Sequence, residues 1–289
     1  MENKHAYLIM AHGNWNLLEV LIRMLDYELN DIYIHIDKAV NNFDYSRFQN
    51  ICKKSNVIFS KERINVKWGD STQVQTELTL FELAAKKKYK YYHLISGVDL
   101  PLKTQPYIHE FFENDDKEYI FLEKEYTQWD YARLSRYRFP ITFNPKFLMV
   151  TNIIQDKFNI DRFKKYNMEF KKGYNWCSLT DDAVRFIIKN KSKIKRMCAM
   201  SSCADECYKQ IILWNSKFKN RIYKDDNGNY NDLREIDWKR RVGSSPHVYT
   251  IDDFEMLKSS NNLFARKFDE KVDSTIIKEI SELVLSNNK

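Results

Sequence analysis

The stretch YYHLISGVDLPLKT, Tyr91 to Thr104, decides how this chain is read. YYHLIS has the composition of a buried strand, and a short turn follows it at once. That turn holds one acid, Asp99, with Gly97 before it and Pro101 after it. In sheets covered by helices on both faces, ligands bind outside the carboxyl ends of the strands. A lone carboxylate pinned at such an end therefore marks a ligand edge, provided that the neighbouring segments supply the rest of the sheet.

They do. AYLIMA (6–11), IYIHID (32–37), NVIFS (56–60) and EYIFLE (118–123) read as further strands. Between them a helix is expected from about Asn14, with Leu17, Leu18, Leu21, Met24 and Leu25 spaced for one face. SRFQNICKK (46–54) reads as helical, and TQVQTELTLFELAAKK (72–87) as a long amphipathic helix. This alternation predicts an α/β fold with a mostly parallel central sheet flanked by helices, of nucleotide-binding type. After Gly173 the pattern resumes: YNWCSL as a strand, Thr180 capping a helix, ADECYKQIILWN (204–215) as another. REIDW and HVYT read as short strands, a helix starts at Thr250, and STIIKEISELVLS closes the chain as an amphipathic helix.

Residues 126–173 differ, with aromatic and basic residues interleaved and little strand periodicity. They predict short helices packed by their aromatics, or a surface for an acceptor or an anionic membrane, since basic amphipathic segments favour such interfaces. No apolar run approaches the ~20 residues of a membrane span. The N-terminal stretch enters a strand without the features of a signal peptide, so a cytoplasmic protein is expected. Five cysteines without a scaffold pattern suit reduced thiols. Cys198, Cys203 and Cys207 cluster, yet no histidine stands near them in sequence to complete a zinc set. The formal charge of +7 favours an anionic partner without choosing among nucleotide, nucleic acid and membrane.

The phosphate-binding glycine loops of dinucleotide dehydrogenases and P-loop kinases are missing. The first strand ends instead in MAHGN, with His12 in the turn, and the second in HIDK, where Asp37 and Lys38 are placed for a nucleotide's ribose or base. The chain has no Asp-x-Asp pair, so Asp99 stands alone where many nucleotide-sugar enzymes hold a divalent cation. A diphosphate leaving here without a metal would need cationic side chains. WKRR (238–241) and FARKF (264–268) offer them, the second with Arg266 and Lys267 between two phenylalanines. Glu206 lies in a first helical turn, where a carboxylate also favours the helix dipole.

Together AYLIMAH, YIHIDK, VKWGDSTQVQTELTLFELA, YYHLISGVDLPLKT, ADECYKQ, IDWKR, SSPHVYTIDDFEML and NNLFARKFDEKVD resemble the core-2/I-branching glycosyltransferases, the family that also contains protein xylosyltransferases. The resemblance implies a GT-A fold that inverts the anomeric centre and uses a UDP-sugar without a metal or other cofactor. It places the catalytic base on Glu206. Donor contacts fall on Met10, Ala11, His12, Asp37, Lys38, Trp68, Ser96, Asp99, Arg266 and Lys267. The family's second diphosphate cation aligns with Ser244, so Arg240 or Arg241 would take that role. Acceptor contacts fall near Glu123, Arg133 and Trp176.

One domain over 1–289 is therefore expected: a nucleotide-binding half (1–125), a variable acceptor- or membrane-side insertion (126–173) and a catalytic, diphosphate-binding half (174–289). Composition rich in Lys, Asn and Ile suits a bacterium. The expected role is GlcNAc transfer, with xylose or galactose as alternatives, to a glycan on a lipid or protein carrier at the cytoplasmic membrane face. Eukaryotic members of the family are membrane-anchored and disulfide-bonded, and neither feature is expected here. A nucleic-acid-binding module would need salt-dependent binding, but no such motif is present. A glycoside hydrolase would act through paired carboxylates without a nucleotide.

Overall fold

The computed structural model describes residues 3–139 and 144–286. Residues 140–143 of the aromatic, basic insertion lie outside them. In chain order the elements are β1 (His5–Ala11), α1 (Trp15–Met24), β2 (Asn30–Ile36), β3 (Asn56–Phe59), α2 (Thr72–Ala84), β4 (Tyr91–Ser96) and β5 (Asp99–Pro101). They continue with α3 (Gln105–Phe112), β6 (Tyr119–Ile120), α4 (Gln128–Ser135), α5 (Pro145–Lys157), β7 (Cys177–Thr180), α6 (Asp181–Lys189) and α7 (Lys191–Cys198). Last come α8 (Tyr208–Trp214), β8 (Arg234–Ile236), α9 (Phe254–Ser259), β9 (Phe264–Arg266) and α10 (Ser274–Ser286).

The α/β expectation holds. Six strands form the main sheet in the order β3-β2-β1-β4-β7-β6. The first four in the chain run parallel, while β7 is antiparallel to β4 and β6 antiparallel to β7. Side chains alternate across the strands: Ala6 and Leu8 join one core, Tyr7, Ile9 and Ala11 the other. The first core takes in α2, α6, α7 and α8 through Leu78, Phe81, Val184, Ile194 and Ile211. The second takes in α1, α3 and α10 through Leu18, Leu21, Ile108, Phe112 and Ile280. Burial on both faces explains why YYHLIS shows no polar alternation.

Several local expectations are corrected. Asp99 is not in a loop: it begins β5, which leaves the main sheet for a second, three-stranded one ordered β5-β9-β8. The strand expected over 118–123 shrinks to Tyr119–Ile120, because Glu118 bridges to Ile222 instead. HVYT makes no strand, and REIDW keeps only Arg234–Ile236. SRFQNICKK yields a single 3-10 turn, Tyr45–Phe48, where Phe48 alone is buried. The helix read over 204–215 is split into a 3-10 turn at Ala204–Glu206 and α8, with Cys203 in the left-handed region at φ 47°. The expected Thr180 cap holds, accepting from the Ala183 amide, and at the helix start expected at Thr250 a 3-10 turn, Ile251–Asp253, begins with a capping box between Thr250 and Asp253.

Candidate active site

Parallel pairing brings three strand ends to one edge. Met10 stands in register with both His35 and Ser96, so the turns after β1, β2 and β4 lie side by side. The Gly97 amide donates to Met10 O at 2.9 Å. A Cβ on Gly97 would lie 3.0 Å from the Ala11 Cβ, so a glycine is what lets these turns approach. The Asp37 amide donates to Ala11 O at 3.0 Å, and its carboxylate accepts from the amides of Ala39 (2.7 Å) and Val66 (3.2 Å). Carboxylate oxygens retain further acceptor capacity for a ribose hydroxyl. His12 is exposed beside Gly13.

Asp99 is almost fully buried, and both of its oxygens are used. Oδ2 accepts from the Ser96 amide at 2.8 Å, and Oδ1 from the Ser96 hydroxyl and from Arg266 Nη1, each at 2.7 Å. Arg266 also donates to Ser96 Oγ and lies 4.6 Å over the Trp176 ring. Ser96, Asp99, Arg266 and Trp176 thus form one unit, which places Trp176, expected on the acceptor side, beside residues expected to contact the donor. Lys267 follows, half-buried, its ammonium 3.4 Å from Ser245 Oγ. Burial, then the Arg266 charge, lowers its pKa. Its carbonyl accepts from Tyr249, and the Phe268 amide donates to Val98 O, which pins it against the Asp99 turn. Arg240 is committed to Asp237 and Asp253, at 2.6 Å each. Arg241 makes no ion pair among the described residues and is exposed.

Glu206 is held from three sides. Arg133 Nη1 donates to its Oε2 at 2.5 Å, and the Gly173 amide donates to its carbonyl at 2.9 Å. Beneath it, Lys209 is wholly buried and donates to Glu77 Oε2 (2.5 Å), Asn175 Oδ1 (2.8 Å) and Asp205 O (3.0 Å). Arg133 also pairs with Asp130, and Glu123 with Lys172, so the expected acceptor residues Glu123 and Arg133 do gather near the expected base. Trp68 is 73% exposed, in a loop whose Gly69 carbonyl accepts from the Cys203 amide at 2.9 Å, three residues before Glu206.

The segment Gly173–Trp176 joins the two groups: Gly173 holds Glu206, and Trp176 carries Arg266. Three residues of chain span at most ~10 Å, so the residue expected as base and those expected to contact the donor lie near one another. Tyr174, stacked 4.1 Å from Phe121, stands between them. Burial first, then Glu123, Asp232 and Glu206, raises its hydroxyl to about 12. Asp232, raised to about 6 chiefly by burial, keeps Oδ2 without a partner.

The sequence reading missed Glu77, Lys209, Tyr174 and Asp232. The signal for the first two was a charge on the apolar face of each of two helices. Cys198 and Cys207 are buried, and among the described residues no group of three or more His, Cys, Asp or Glu could hold a metal ion.

The structure is an α/β domain with a mostly parallel main sheet and a second, three-stranded sheet that carries Arg266. The chain belongs to the Core-2/I-branching enzyme family, whose model matches residues 5–260. It is similar to xylosyltransferase sqv-6 of Caenorhabditis briggsae, 24% identical over 283 residues, 89% of this chain and 34% of that protein. It is similar as well to beta-glucuronosyltransferase GlcAT14B of Arabidopsis thaliana, 24% identical over 302 residues, 94% of this chain and 66% of that protein. The chain therefore spans only part of these curated relatives. Among solved structures, apo mouse xyloside xylosyltransferase 1 aligns at TM-score 0.39 and 9% identity, over 90% of this chain and 96% of that one. The apo bifunctional glycosyltransferase WbbM aligns at TM-score 0.39 and 11% identity, over 74% and 37%.

Proposed function

We propose that the protein is an inverting, metal-independent glycosyltransferase that moves a sugar from a UDP-sugar to a glycan hydroxyl. The single observation that carries this reading is the Gly173–Trp176 segment, which links the backbone of Glu206, through its carbonyl, to the Asp99–Arg266 pair. Glu206 accepts the hydroxyl proton as the acceptor oxygen bonds to C1 of the sugar. The bond from C1 to the β-phosphate oxygen breaks on the opposite face, and negative charge builds on the departing diphosphate. Lys267, half-buried, meets that charge, and Arg241, unlike Arg240, is unpaired to join it. Support for metal independence comes from the cations themselves: Asp99 is already paired with a guanidinium, and no second acid stands two residues from it.

UDP-GlcNAc is the expected donor, with UDP-xylose and UDP-galactose as alternatives; the names of the two relatives add UDP-glucuronate. The acceptor is read as a glycan on a lipid or protein carrier in bacterial surface-polysaccharide or glycoprotein assembly. A thermal-shift panel of the four UDP-sugars, followed by transfer assays with and without EDTA, tests this. The Glu206→Gln variant should keep UDP binding and lose transfer by roughly 10²–10⁴-fold. Unimpaired transfer by that variant, or activity abolished by EDTA and restored by manganese, would overturn the reading.

A further inference from the structure

Helix α5 is amphipathic in the wrong sense for a helix of a folded domain. Residues 146, 149, 150, 153, 154 and 157 follow the i, i+3, i+4, i+7 spacing of one helix face. Four of them are Met149, Val150, Ile153 and Ile154, and with Phe158 just beyond they are between 45% and 69% exposed. The side turned to the protein carries Leu148, Thr151 and Gln155. Gln155 is the buried residue of the helix: its Oε1 accepts from the Tyr137 amide at 2.6 Å, and its Nε2 donates to Tyr137 O at 3.1 Å. Asp156 pairs with Arg136 at 2.6 Å, and Asn152 and Asp156 line a cavity of about 760 Å³ against Trp129 and Tyr131 of α4. The helix is thus clasped to the body by hydrogen bonds and by the Phe147–Phe139 ring contact, while the apolar residues of its outward face stay open to solvent.

We propose that this face docks in the plane of an anionic lipid bilayer. Lys146 and Lys157, at the two ends of the apolar face, make no ion pair among the described residues, and Lys164 and Lys165 beyond them are exposed. Residues 126–173 hold ten Lys and Arg against four Asp and Glu, six of the chain's formal +7. Such charge complements a negative surface and opposes a second copy of the same face. Apolar side chains enter the interface while lysines reach the headgroups. At 13 residues the helix can lie on a membrane, and no described helix is long and apolar enough to cross one. Because α4 carries Arg133 to Glu206, docking sets the acceptor side of the cleft near the lipid surface.

The test is co-sedimentation of the full chain with vesicles of phosphatidylglycerol and phosphatidylcholine, against phosphatidylcholine alone. The protein should bind the anionic vesicles and be released by salt. The double variant Ile153→Asp, Ile154→Asp should lose at least about tenfold in partitioning while keeping its thermal midpoint within a few degrees. Lys146→Glu with Lys157→Glu should lose the preference for anionic lipid. No binding by the parent protein, equal binding by the isoleucine variant, or a parent dimer that this variant turns into a monomer would overturn the proposal. UDP-sugar binding and transfer to a soluble acceptor do not enter these readouts, so this inference and the catalytic reading fail separately.

Discussion

Asp99 and Arg266 are directly opposite residues of β5 and β9, and their side chains meet at 2.7 Å although 167 residues separate them. Asp99 is 1% exposed, and Arg266 is the cation that pairs with it directly. Removing one partner of a buried pair leaves an uncompensated charge. Arg266→Ala should cost about 3 kcal/mol in urea denaturation, at the low end for buried pairs because Arg266 keeps some solvent contact. It should also abolish the thermal shift given by UDP-sugars. Arg266→Lys should recover part of the stability but little of the shift, since a lysine does not lie flat on Trp176.

The Arg133–Glu206 contact predicts a different pattern. Arg133 holds the Glu206 carboxylate, the proposed base, and among the described residues makes no hydrogen bond or ion pair with Asp99, Arg266 or Lys267. Arg133→Ala should lower kcat by up to about 10²-fold, as misplacement of a catalytic group does, with UDP affinity retained. Equal losses in UDP binding would show that Arg133 holds the donor instead.

Beneath Glu206, Lys209 and Glu77 are both fully buried. Lys209→Met alone should destabilise the fold by about 3–5 kcal/mol, while Lys209→Met combined with Glu77→Leu should recover most of that loss. Chemical denaturation of the two variants checks this. Transfer should stay impaired in the double variant, because the hydrogen bond to Asp205 O that shapes the Glu206 turn is gone in both.

Gly173 lies where a Cβ would stand 1.8 Å from the Phe121 carbonyl oxygen, which is backbone and cannot swing aside. Gly173→Ala should therefore cost about 3 kcal/mol, the upper end of overpacking, and displace Glu206 through the amide that holds it. Gly97→Ala, meeting only the Ala11 methyl at 3.0 Å, should cost about 1 kcal/mol. Thermal melts of the two alanine variants, read together, separate these effects.

Asp205 gives a pH dependence. Burial first, then Glu77 and Glu206, pushes its carboxyl from 3.8 up to about 7. Between those values the folded chain keeps a proton that the unfolded chain has released. Its contribution is therefore full below about 3.8 and is lost as pH rises towards about 7. Asp205→Asn should match the parent melting temperature near pH 4 and exceed it at pH 8. A difference that grew towards low pH would refute the assignment.

The elements were legible where burial is uniform along them. β1, β2, β4, α1 and α2 follow directly from apolar runs and 3.6-residue spacing. The glutamate, the lysine of FARKF and the acid after β4 were legible as residues, because charge at a strand end or helix start stands out against an apolar background. Two of the short strands were not: β5 and β9 have three residues each and pair only within the second sheet, so no local period announces them. The Glu77–Lys209 pair was hidden for the same reason, since each charge interrupts an apolar face and its partner is 132 positions away.

Sequence by itself determined that this chain alternates strand and helix, and which acids and cations stand at the ends of those strands and helices. Those properties arise from neighbours within a few positions and are set by backbone sterics and hydrophobic spacing. Tertiary structure alone decided that Asp99 is neutralised by Arg266 rather than left open, that the Gly173–Trp176 segment links Glu206 to Arg266, and that α5 turns its apolar side to water. Each of those depends on which distant segments meet, and long-range pairing leaves no local signature in the chain.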